Sequence, residues 1–215
     1  MTSDTPTADA ASLRDYVEGF LAEDDALNTA RNRGVELGCV PVGAATGAAL
    51  QFLSTVLRAR AVVEIGTGAG VSGLYLLRGM AGDGVLTSID VEPEYQGAAK
   101  RAFADGGIPP GRTRLIMGRA LDVLPRLTDG AYDLLFVDAL LAEYPSYHQQ
   151  GVRLLRPGGV IAFDNVLRSG GVLNPARQDA ETRALREVAR AVRDDDLLTP
   201  VLLPLGDGLL VAAKT

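Results

Sequence analysis

The chain has little of what would suit an oxidising compartment, a nucleic acid or a membrane. Cys39 is its single cysteine in 215 residues, so no intrachain disulfide can form and a cysteine-based zinc cluster is excluded. Basic residues are not in excess: 21 Lys and Arg stand against 27 Asp and Glu, a net charge of −6. Duplex binders usually carry the opposite balance, because phosphate neutralisation drives their affinity. DNA is therefore not an expected partner, and a small molecule is. No apolar run approaches the roughly 20 residues that a bilayer-spanning helix needs. Met1 to Ala11 lacks the basic start and apolar stretch of a secretory signal, and cytoplasmic residence is the expectation. The one histidine, His148, is expected to be structural, beside Tyr144 and Tyr147 on a helix.

What is present suits one α/β domain spanning 11–215, after a Thr/Ala/Asp-rich tail over 1–10 expected to be disordered. Leu13, Tyr16, Val17, Phe20 and Leu21 repeat at helical spacing, as do Ala45, Ala48, Ala49, Phe52, Leu53, Val56 and Leu57. These predict two helices within 11–57, separated by a loop from Gly34 to Gly43. From Ala61 onward short apolar runs alternate with helices. Strands are predicted at 61–65, 85–89, 113–117, 133–137 and 160–163. Such runs suit a parallel sheet buried on both faces. Two further runs, 201–203 and 209–211, flank Gly206-Asp207-Gly208 and predict a closing antiparallel hairpin. The fold expected is a doubly wound, Rossmann-like sheet of seven strands, mostly parallel.

Polar residues collect where these runs end: Glu64, Asp90, Asp138, Asp164 and Asn165. In an open α/β sheet ligands sit beyond the carboxyl ends of the strands. The turn Glu64-x-Gly66-x-Gly68-x-Gly70 lets backbone approach a ligand closely. It is not the G-x-G-x-x-G turn that seats a pyrophosphate, and a carboxylate at Glu64 would repel one while suiting a cationic amino-acid ligand. A nicotinamide-dependent dehydrogenase is disfavoured on both counts. Asp90 stands where a carboxylate can accept hydrogen bonds from a ribose diol.

Glu64-Ile65-Gly66-Thr67-Gly68 with Ile89-Asp90 resembles the signature of class I S-adenosylmethionine-dependent methyltransferases. The resemblance implies that Ser72 and the Gly68 region contact the methionyl part, Asp90 the ribose and Ala120 the surroundings of adenine. Val42, Glu64, Gly66, Thr67 and Asp138 complete the implied donor site. Phe136-Val137-Asp138-Ala139, Asp164-Asn165 and the closing Pro204-Leu205-Gly206-Asp207-Gly208 resemble the cation-dependent O-methyltransferases of the caffeoyl-CoA and catechol type. The likeness runs from about Pro41 to Gly208. It implies a divalent cation such as Mg2+ on Asp138, Asp164 and Asn165, with Asp138 also the catalytic residue, and a homodimer. An oxygen-only set of this kind suits a hard cation.

Two departures stand out. Where the family commonly has Asp-Ala-Asp-Lys, this chain has Asp138-Ala139-Leu140-Leu141, so Leu141 replaces the lysine proposed there as general base. Arg168-Ser169 follow Leu167, where plant relatives carry an aromatic and a polar residue; both are candidate substrate contacts, and Arg168 could meet an acceptor anion or be a solvated loop arginine. The leading expectation is methyl transfer to a hydroxyl of a small catechol-like acceptor. The alternatives are methylation of a hydroxylated uridine in tRNA, which the acidic balance weighs against, and a donor-binding protein with weakened catalysis.

Overall fold

The computed structural model describes residues 9–215. The tail prediction therefore falls largely outside the described residues; Ala10, its last residue, already begins a helix.

Among the described residues three helices precede the sheet: α1 (Ala10–Glu18), α2 (Asp25–Glu36) and α3 (Ala44–Val56). The sequence pattern had predicted two. The missing one is α2, which starts where Asp24 caps the Leu27 amide and buries only Leu27, Ala30 and Gly34. Only one of these is a large apolar residue, so the helix is too polar overall to stand out in the sequence. Gly34, read as the start of a loop, is inside α2, where a Cβ would lie 2.8 Å from Pro41 Cγ and 3.1 Å from Cys39 Sγ, so the position needs a glycine. The first predicted helix is also shorter than its apolar period: α1 stops at Glu18, leaving Phe20 and Leu21 beyond its Gly19 cap.

The core then alternates β1 (Ala61–Ile65), α4 (Val71–Gly79), β2 (Val85–Asp90), α5 (Pro93–Asp105), β3 (Thr113–Met117), α6 (Ala120–Val123) and β4 (Tyr132–Val137). It continues with α7 (Tyr144–Leu154), β5 (Leu155–Phe163), α8 (Ala180–Asp194), β6 (Leu198–Leu203) and β7 (Leu209–Lys214). The seven strands lie in the order β3-β2-β1-β4-β5-β7-β6. The first five run parallel, while β7 is antiparallel to both β5 and β6. The doubly wound, Rossmann-like sheet with a closing hairpin is thus borne out.

Alternation of faces along the strands makes two cores. Val62, Leu86 and Leu134 pack against α3, α4 and α5 residues such as Leu50, Leu74 and Phe103. Val63, Ile89 and Leu135 face the other way, onto α7 and α8 through Tyr147, Leu154, Leu185 and Val188. Full burial of an aliphatic side chain stabilises by about 1.5–3 kcal/mol. That double covering holds the strand ends, and hence the polar residues on them, in fixed register.

Candidate active site

The ends of β1 to β4 open into a cavity of about 450 Å3. Its wall includes Val42, Gly66, Thr67, Gly68, Ser72, Asp90, Ala120 and Asp138, so the fold brings together all but one of the residues expected to bind a donor. The exception is Glu64, which lies beneath the wall. Its carboxylate is fully buried, accepting Ser72 Oγ at 2.6 Å and Ser88 Oγ at 2.5 Å. Thr67 Oγ1 joins the same network 2.7 Å from Ser88 Oγ. Ser72 therefore stands between Glu64 and anything in the cavity. Burial pushes the Glu64 carboxyl up to about 7, against the pull of the two hydroxyls. Such a group gains most from a nearby cation.

The first turn is set by close backbone approach. A Cβ on Gly66 would fall 1.9 Å from the Asp138 carbonyl oxygen, and its φ of +96° is one that L side chains rarely adopt. The Gly66 amide continues the sheet ladder to Ile89 O at 2.9 Å. Asp90 Oδ2 accepts the Thr67 and Gly68 amides at 2.8 and 3.0 Å, and Oδ1 accepts that of Glu92 at 3.0 Å. One carboxylate thus shapes the turn and also faces the cavity.

Asp138 and Asp164 are brought side by side in the same way. The Asp138 amide donates to Ile65 O and the Asp164 amide to Val137 O, both at 2.9 Å, extending the ladder one residue past β4 and β5. Asn165 Nδ2 donates to Asp138 Oδ1 at 2.7 Å. Tyr144, wholly buried, donates its hydroxyl to Asp164 O at 3.1 Å. Both carboxyls titrate above the ordinary carboxylate range, Asp138 through burial and then the charge of Glu64, Asp164 through burial and then the charge of Asp138. Asp164 Oδ1 is buried without a hydrogen-bond partner among the described residues. Two crowded acids and an orphaned oxygen are what a divalent cation would relieve. No group of three or more His, Cys, Asp or Glu that could hold a metal occurs among the described residues; the polar side chains meeting at these two strand ends are Asp138, Asp164 and Asn165.

The segment after Asn165 is strained. Asn165, Arg168 and Ser169 have φ of 60°, 48° and 50°, each costing about 1–2 kcal/mol or more outside glycine. The β6–β7 turn holds it: Asp207 accepts the Ser169 amide on both oxygens, at 2.6 and 2.8 Å, and its carbonyl takes the Leu167 amide at 2.9 Å. The Arg168 guanidinium is paired with Asp179 and, at 2.5 Å, with Glu181. Arg168 and Ser169 do not line the donor cavity.

Leu140 lines the cavity and Leu141 packs into the second core. No lysine or histidine lines the cavity among the described residues; Lys214 donates to the Val152 and Leu155 carbonyls. His148 is buried on α7, 3.5 Å from Asp195. Tyr147 is both buried and part of the cavity wall. Glu143 and Arg119, also on that wall, escaped the sequence reading because nothing in it joins residues 24 apart; a Glu one turn before Tyr147 was the available signal.

The sequence profile of the O-methyltransferase family matches residues 18–215. A provisionally named O-methyltransferase of Mycolicibacterium vanbaalenii is 52% identical over 215 residues, covering 99% of this chain and 95% of that relative. Among solved structures, a Corynebacterium glutamicum protein superposes with a TM-score of 0.89 at 33% identity, over 95% of this chain and 96% of the other. The O-methyltransferase TomG from Streptomyces achromogenes, involved in tomaymycin synthesis and solved in complex with SAM, gives 0.86 at 31% identity over the same shares.

Proposed function

The chain belongs to the O-methyltransferase family, and on that premise we propose that it transfers a methyl group from S-adenosylmethionine to a hydroxyl of a small, catechol-like acceptor that chelates a divalent cation. The observation that carries this reading is the meeting of two sites at one strand end: Asp138 lines the cavity and is hydrogen-bonded to Asn165, beside Asp164.

The chain's own residues do mostly positioning work. Ser72, backed by Glu64, receives the cationic amino-acid end of the donor, and Asp90 takes the ribose diol. Val42, Ala139 and Leu140 give the wall an apolar lining that excludes water. Asp138, Asp164 and the Asn165 amide oxygen would hold a cation such as Mg2+. When bound, it would make a chelated hydroxyl more acidic. With Leu141 in place of the lysine, the wall carries no lysine or histidine among the described residues to take the acceptor's proton. The acceptor hydroxyl must therefore be acidic already or be acidified at the Asp138/Asp164 site. Fixing the two reactants together supplies much of the remaining acceleration.

Leu141 also favours a second reading, a donor-binding protein with weakened catalysis. Labelled S-adenosylmethionine presented with vicinal diols, monophenols and bulk tRNA separates these, with mass spectrometry to place the methyl group. Transfer to diol oxygen supports the first reading; donor binding with no transfer supports the second. Transfer to tRNA would replace the acceptor class. We also expect pairing with a second copy of the chain, since Leu13, Tyr16 and Phe20 stand exposed beside an apolar groove lined by Val17, Ala45 and Leu205. Light scattering at twice the chain mass is the expected result.

A further inference from the structure

Of the charged residues on the cavity wall, Glu92, Arg119 and Glu143 have no part in the reading above, and the last two are paired with each other. Arg119 follows β3 and Glu143 follows β4, strands at opposite ends of the series β3-β2-β1-β4. Even so, Arg119 Nη2 lies 3.1 Å from Glu143 Oε1, so the pair closes the wall between two distant strand ends. Glu143 is also aimed: its Oε2 accepts the hydroxyl of buried Tyr147 at 2.6 Å. Its side chain is 20% exposed, that of Arg119 66%. So exposed a pair contributes little to stability, which leaves its placement on the cavity wall to be explained.

The parts of the donor allocate the space. With the amino-acid end at Ser72 and the ribose at Asp90, the base extends past β2 toward β3, where the wall is Gly118, Arg119 and Ala120. The pairing edge of adenine carries an amino donor, N6, beside a ring acceptor, N1. A carboxylate beside a guanidinium offers the matching acceptor and donor. Hypoxanthine reverses that order, with O6 accepting and N1–H donating.

We propose that Glu143 and Arg119 read the pairing edge of the donor's base, Glu143 accepting from N6 and Arg119 donating to N1, which makes Glu143 a specificity-determining residue for adenine. The inference rests on the donor reading above and deepens it. Calorimetric titration of the whole protein with S-adenosylhomocysteine and with S-inosylhomocysteine tests it. The wild type is expected to prefer the adenosyl ligand about tenfold or more, since groups built to hydrogen-bond one partner reject the mismatched one. Glu143→Gln, whose amide can turn to donate to O6, should narrow the preference about threefold or more by strengthening inosyl binding, while Arg119 still faces the N1–H donor. Arg119→Ala should lower the preference part of the way. A ratio of two affinities measured on one preparation is insensitive to partial unfolding. A Glu143→Gln ratio equal to that of the wild type, or a wild type that binds both ligands equally, overturns the proposal. A wild type that binds neither overturns the donor reading itself.

Discussion

Asn165 Nδ2 donates to Asp138 Oδ1 over 2.7 Å, so the ends of β5 and β4 are tied through side chains as well as through the ladder. The bond fixes which way the Asn165 amide faces. Its NH2 is spent on Asp138, while Asp164 Oδ1 is buried without a hydrogen-bond partner among the described residues.

Removing one acid should therefore cost cation binding before it costs the fold. Asp164→Asn is expected to lower Mn2+ affinity, read by electron paramagnetic resonance, by about tenfold or more. Its thermal midpoint should hold or rise, because the substitution removes one of two repelling buried charges. Unchanged Mn2+ binding would move the cation site elsewhere.

Leu141→Lys restores a lysine next to the cavity-lining Leu140. A general base is worth about 10²–10⁴ in rate, and a gain of about tenfold or more in kcat is expected with an ordinary catechol near neutral pH. A rate that does not move would mean that proton removal is not what limits this protein.

Glu64 links donor affinity to pH. Its folded value of about 7 lies above its ordinary 4.5, so between the two the folded state keeps a proton that the unfolded state has released. The stability this group contributes is complete below about 4.5 and is lost as pH rises through about 7. A cationic ligand favours the ionised form, so donor affinity should climb from pH 5.5 to 7.5. Glu64→Gln should bind more weakly and show neither trend. Calorimetry and thermal melts across that range check both signs.

Asp207 acts on the cation site from a distance, by holding the strained Asn165–Ser169 segment through the Ser169 amide. Asp207→Ala removes a charge-assisted hydrogen bond worth about 1.5–3 kcal/mol. It should weaken Mn2+ binding while leaving S-adenosylhomocysteine binding within about twofold. An equal loss of both would point to general unfolding instead.

The sheet and the donor turn could be read in the sequence because each parallel strand is a short apolar run closed by a polar residue. Ile65, Ile89 and Val137 are buried within a residue or two of Gly66, Asp90 and Asp138. Periodicity failed where burial depends on small residues. Leu27, Ala30 and Gly34 line the buried face of α2, and only Leu27 among them is a large apolar residue that would announce it. It also overran at Phe20 and Leu21, whose spacing continues that of α1 although Gly19 has ended the helix. Partnerships across the chain were out of reach: neither Arg168 with Glu181 nor Arg119 with Glu143 follows from spacing, because each depends on how loops fold over the sheet.

The central claim is methyl transfer that depends on a cation at Asp138, Asp164 and Asn165. The most direct measurement is transfer of label from S-adenosylmethionine to a panel of catechols with Mg2+, repeated in EDTA. The account predicts labelled product with Mg2+, none in EDTA, and recovery when Mg2+ is restored. Equal transfer in both conditions would contradict it.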